Sequence, residues 1–128
     1  MTWRPIILEL GMGADIHGHD VTKAAVRAIS DAIRHSSLTL FAGLKRHPRD
    51  MRLEVTVAVP RPDRIDIQKI KDALPFGSVE VTVVKGGIDD LGMGGMEDIS
   101  VALVGVKAFL DVTDHGITLS TPQSQGKD

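Results

Sequence analysis

The stretch that decides the fold is Ile6-Ile7-Leu8-Glu9-Leu10-Gly11-Met12-Gly13-Ala14-Asp15-Ile16-His17-Gly18-His19-Asp20, followed directly by Val21-Thr22-Lys23-Ala24-Ala25-Val26-Arg27-Ala28-Ile29. Residues 6–10 put Ile6, Leu8 and Leu10 on one side, the period of two of a half-buried strand. From Val21 the period lengthens. Ala25, Val26, Ile29, Ala32 and Ile33 share one helical face, and Lys23, Arg27, Asp31 and Arg34 take the other. Asp20 stands at the N-cap, where its carboxylate accepts from freed amides and faces the positive end of the dipole. Between strand and helix lies a glycine-rich loop with two acids and two imidazoles, the kind of segment that carries function on a rigid scaffold.

Downstream, Leu53, Val55, Val57 and Val59 alternate with Arg52, Glu54, Thr56 and Ala58, giving a second strand stopped by Pro60 and Pro62. Asp66 caps a second helix with apolar positions Ile67, Ile70, Ala73 and Leu74, ended by Pro75. Val79, Val81 and Val83 mark a third strand. Residues 99–112 read as a long valine-rich strand bent at Gly105, with a buried helix as the alternative. Residues 35–51 lack a clean period, and so long a connection is expected to pack in part, against this chain or a neighbouring subunit.

The order β-α-β-α-β-β predicts an α+β two-layer sandwich, a mixed four-stranded sheet with two helices on one face. Residues 1–112 form one domain and 113–128 a polar, flexible tail. The uncovered face would show Glu54, Thr56, Ala58, Glu80, Thr82 and Val84. Apolar and acidic side chains mixed in this way predict a homo-oligomer closing on that face, against the plainer reading of a wet antiparallel sheet.

Composition narrows the function. A net charge of −2 and a pI near 6.2 give no electrostatic reason for nucleic acid or an anionic membrane. Three Phe, one Trp and no Tyr leave little for stacking bases. With no cysteine, disulfides, thiolate metal sites and cysteine nucleophiles are excluded together. No apolar run reaches the roughly 20 residues of a membrane span, and the start lacks signal-peptide features. A soluble, cytoplasmic protein binding a small molecule is expected.

Asp15 and His17 are two apart, so on an extended loop they project to one side. They suit a divalent metal such as zinc, with His19 as a third ligand. Equally, the carboxylate can orient the imidazole for proton transfer, or the residues can simply bond a turn. Gly11, Gly13 and Gly18 would give backbone access to a ligand. Gly11-Met12-Gly13 is no dinucleotide fingerprint, since Ile16 replaces the third glycine. A second glycine loop, Gly92-Met93-Gly94-Gly95-Met96-Glu97-Asp98, offers Gly94 and Gly95 for substrate contact and Glu97 as a further acid or base. Asp98 reads as a solubilising charge at the start of a strand, and His47 and His115 as solvated.

Residues 11–18 match G-x-G-x-D-x-H-G at every fixed position. That pattern resembles the signature of a small uncharacterised family of bacteria and plants, with the likeness running over most of residues 5–112. The resemblance implies that Gly11, Gly13, Asp15, His17 and Gly18 matter, and implies no activity. More loosely, Asp15-Ile16-His17 is similar to the zinc-binding pair of the trimeric cyclodiphosphate synthases. The element order resembles the trimeric chorismate-mutase-like folds. The expected function is a hydrolase or lyase acting on a polar small molecule, or else a non-catalytic metabolite-binding oligomer, with a trimer as the implied assembly.

Overall fold

The first strand outlasts its hydrophobic run. In the computed structural model, which describes residues 2–16, 18, 20–34, 51–74, 78–89 and 99–111, β1 spans Trp3–Asp15 and continues through both glycines. Gly11 and Gly13, expected in a loop, therefore lie inside a strand. Their partner explains why. The helix α1, Val21–Arg34, runs back along β1, and a Cβ on Gly11 would sit 2.1 Å from the Ala28 carbonyl oxygen and 2.6 Å from the Ala32 amide nitrogen. On Gly13 it would sit 2.3 Å from the Ala28 nitrogen and 2.5 Å from the Ala24 oxygen.

Strand and helix are matched in step. Two strand residues advance about 6.6 Å and four helical residues about 6.0 Å, so Gly11 and Gly13 face successive members of Ala24, Ala28 and Ala32. Only glycine on one element and alanine on the other allow backbones this close. The same helix seals the outer edge of β1: the Met12 amide donates to Asp31 Oδ2 at 3.0 Å, and Arg27 Nη1 donates to the Ala14 carbonyl at 2.7 Å. Where side chains meet the backbone in this way, the last residues of the edge strand are a poorer template for pairing with another chain.

The remaining elements are β2 (Arg52–Val59), a 3-10 turn (Pro62–Arg64), α2 (Ile67–Asp72), β3 (Ser78–Lys85), β4 (Ile88–Asp89) and β5 (Ser100–Asp111). The sheet order is β1-β5-β2-β3. β5 is antiparallel to β1 and β2, and β3 is parallel to β2, so the sheet is mixed as expected. The two-residue β4 also pairs β5, a fifth strand in a segment read as loop. Pairing of β5 continues unbroken through Gly105 on both sides, opposite Leu10 and Thr56, without a bulge.

Both helix caps form as the sequence predicts. Asp20 Oδ1 accepts from the Lys23 amide at 3.0 Å, and Asp66 Oδ1 accepts from the Gln68 and Lys69 amides. Thr22 Oγ1 accepts from the Asp66 amide at 3.0 Å, tying the start of α2 to the first turn of α1. Beneath the helices lie Ile29, Leu53, Val55, Val57, Val59, Ile70 and the even-numbered side of β5 from Ala102 to Leu110, all buried. Ile67, expected inward, is exposed. Residues 35–50 and 112–128, which hold most of the 35–51 connection and all of the expected 113–128 tail, lie outside the described residues.

Candidate functional site

Three strand ends meet on one rung. Asp15 closes β1, Ser100 opens β5 and Asp89 closes β4. Ser100 is the register partner of Asp15 on one side and of Asp89 on the other. All three side chains point to the helix-covered face, where Asp15 and Ser100 are 1% and 0% exposed. Two strand spacings separate the aspartates, so their backbones lie about 10 Å apart. Here the apolar core stops and a polar layer begins.

Arg61, just beyond the end of β2, completes one half of this layer. Its Nη1 donates to Asp89 Oδ2 at 2.6 Å and its Nη2 to Ser100 Oγ at 3.1 Å, while the Ser100 hydroxyl donates to Asp89 Oδ1 at 2.8 Å. Guanidinium, hydroxyl and carboxylate thus form a closed ring of charge-assisted bonds. The ring fastens β4, the β2 exit and the start of β5 together.

Asp15 anchors the other half. Its Oδ2 accepts from the Asp20 amide at 2.9 Å, which closes the loop from β1 to α1 on the residue that caps the helix. Its Oδ1 faces Arg27 Nη1 at 3.8 Å and Lys23 Nζ at 4.0 Å, both half-exposed. The arrangement can hold a carboxylate in a fixed orientation at the mouth of the sheet, with two cations on its solvent side.

Of the residues singled out in the sequence, the structure brings Asp15 to this layer and places Gly11 and Gly13 beneath α1, where packing accounts for them. Gly18 adopts φ +93, with open space where a Cβ would point, so its glycine answers to backbone conformation. His17, His19, Gly94, Gly95 and Glu97 lie outside the described residues. Glu97 belongs to segment 90–98, whose flanking residues, Asp89 and Ile99, are at this end of the sheet. Among the described residues no three His, Cys, Asp or Glu come together to hold a metal ion. Sequence reading missed Arg61, Asp89 and Ser100. They are single polar residues 28 and 39 positions apart from the arginine, and the one local signal is a serine opening an otherwise apolar strand.

A family profile matches residues 5–112, which takes in both helices, the whole polar layer and all but the first residues of the sheet. The chain belongs to the Lin0512 family. Lin0512 members are described as conserved hypothetical proteins. An FtsZ-like protein of unknown function from Nostoc punctiforme, solved by crystallography, is similar to this Lin0512 chain at 33% identity. The match covers 87% of this chain and 98% of that one, with a TM-score of 0.76. No curated protein matches.

Proposed function

We propose that this Lin0512 protein is a small enzyme, a hydrolase or lyase, acting on a polar small molecule at the end of the sheet marked by Asp15, Ser100, Asp89 and Arg61. The observation that carries the reading is the polar rung itself. Burying Asp15 and Ser100 at the rim of an apolar core costs free energy that apolar residues would not, and such costs are borne where chemistry needs them.

In this reading Asp15, held by the Asp20 amide, orients His17 two residues on, and the imidazole takes a proton from substrate or water. Glu97, on the segment flanked by Asp89 and Ile99, serves as the second acid or base. Lys23 and Arg27 favour a substrate carrying a carboxylate or phosphate. Ser100 is a positioning residue, since its hydroxyl is committed to Asp89 and fully buried. Two cations already neighbour Asp15 Oδ1, which disfavours a divalent metal on that oxygen.

Asp15 also favours a second reading, a non-catalytic metabolite binder, because its engaged Oδ2 is what a loop-fixing residue would show. One experiment separates them. Wild-type protein, Asp15→Asn and His17→Asn are screened against a panel of phosphorylated and carboxylated metabolites by thermal shift, and stabilising compounds are then followed by NMR for turnover. Turnover lost in His17→Asn with binding retained supports the enzyme. Binding without turnover in the wild type supports the binder, and a wild type stabilised by no compound removes both.

A further inference from the structure

The face of the sheet turned away from the helices is graded from apolar to charged, rung by rung. Register pairing aligns Ala14, Val101 and Ile88, then Met12, Leu103, Ala58 and Val84, then Leu10, Gly105, Thr56 and Thr82, then Leu8, Lys107, Glu54 and Glu80. Leu8, Leu10 and Met12 are 62%, 69% and 60% exposed, and Leu103, Val84 and Ile88 are also exposed. A hollow of ≈ 330 Å³ opens around Gly105, between Leu10, Thr56, Ala58 and Leu103.

We infer that this face binds a second copy of the same chain, sheet on sheet, about a two-fold axis running along the strands between β5 and β2. The inference is independent of the catalytic reading. A face packed on its own copy must be isologous, which fixes a two-fold. Of the two in-plane axes that keep the strands of the two sheets aligned, the one across the strands would lay the Lys107 rung over apolar rungs and bury its charges unpaired. The axis along the strands keeps rung over rung and exchanges β5 with β2 and β1 with β3, so that of this rung's charges only Glu80, on the edge strand, meets an apolar residue, the partner's Leu8. Lys107 then lies over the partner's Glu54, and Glu54 under the partner's Lys107. Leu103 meets the partner's Ala58, and Met12 meets the partner's Val84, large against small.

Among the described residues Lys107 makes no ion pair of its own, while Glu54 holds Arg52 at 3.3 Å. The face spans about 27 by 19 Å, roughly 500 Å² in projection before side-chain relief is counted. Standard interfaces bury roughly 800 Å² of accessible surface per partner, so side-chain relief has to supply about a third of the area.

The test is oligomeric state. Light scattering coupled to gel filtration should give the full chain a mass twice its 13.8 kDa. Leu103→Arg should be monomeric with an unchanged circular dichroism spectrum. Lys107→Glu should weaken association at least tenfold, and Lys107→Glu with Glu54→Lys should recover most of it. Because the chain has no cysteine, single Met12→Cys and Val84→Cys proteins can be mixed and treated with a short bis-maleimide. Across the interface these positions are about 10 Å apart, the spacing of packed sheets, so the mixture should cross-link more than either protein alone. This arm decides the matter if Leu103→Arg fails to fold. A monomeric or trimeric wild type, a folded Leu103→Arg that stays dimeric, or equal cross-linking in all three samples overturns the inference.

Discussion

Replacing Gly11 with alanine adds one carbon where α1 leaves no room. The new Cβ would stand 2.1 Å from the Ala28 oxygen, 2.6 Å from the Ala32 nitrogen and 2.9 Å from the Ala32 Cβ. Ordinary contact begins near 3.4 Å, so the gap must open by 3.4 − 2.1 = 1.3 Å. Two of the three obstacles are backbone atoms, so no rotamer change relieves them and the helix itself must lift. Ala24, Ala25, Ala28, Ile29 and Ala32, all 0% exposed, would lose contact together. A radial gap of about 0.5–1 Å already forfeits a quarter to a half of each dispersion well, and this gap is wider. Overpacking of a core costs about 1–3 kcal/mol, and more where backbone must move, so we expect a loss of about 3–4 kcal/mol. That is a large share of the roughly 5–15 kcal/mol that holds a domain folded. The assay is urea unfolding followed by circular dichroism at one protein concentration. Gly105→Ala is the control on the opposite face, where the added carbon meets only Leu10 Cδ2 at 3.5 Å. It should change stability by between nothing and about 1 kcal/mol in the favourable direction. Equal midpoints for Gly11→Ala and wild type, or full rescue by Ala32→Gly, would refute the reasoning, since that second change removes only the 2.9 Å contact.

Asp15→Ala removes the acceptor for the Asp20 amide and should cost about 2–3 kcal/mol, whereas Asp15→Asn keeps an oxygen there and should cost about 1 kcal/mol or less. Equal losses in denaturant midpoint would show that the bond is not what Asp15 supplies to stability. In the Arg61–Asp89–Ser100 ring, a double-mutant cycle on Arg61→Ala and Asp89→Ala should return a coupling of about 1–3 kcal/mol, and strict additivity would contradict the ring. Thr22→Val should cost about 1–2 kcal/mol by leaving the part-buried Asp66 amide without its acceptor. Amide hydrogen exchange at Asp66 should accelerate with it, and unchanged protection would contradict the assignment.

Much of this fold was legible because its signals are local. Alternation fixes β2 and β3, and Asp20 and Asp66 announce their helices by capping them. The two glycines of β1 misled in an instructive way. Glycine usually punctuates a strand, yet Leu8, Leu10, Met12 and Ala14 keep the alternation going on the open face through Asp15. The glycines mark a helix lying almost on the strand, a tertiary fact visible only beside the alanines at 24, 28 and 32. β4 is two residues long and exists because β5 offers it a free edge. At the site, Asp15 stood out through its neighbours in sequence. Arg61, Asp89 and Ser100 meet only through the crossing of three strands, and no window of sequence contains them all.

The matched steps of β1 and α1 limit how this molecule can move. Both elements repeat every six ångström or so, which gives the helix a few discrete stations along the strand, and one of them sets the Asp20 amide on the Asp15 carboxylate. Sliding to the next station would carry that amide past its acceptor and drive alanine methyls into strand backbone. The loop between them therefore has a fixed span, intolerant of inserted residues. Opening this end of the sheet would first have to break the bond between the Asp20 amide and the Asp15 carboxylate.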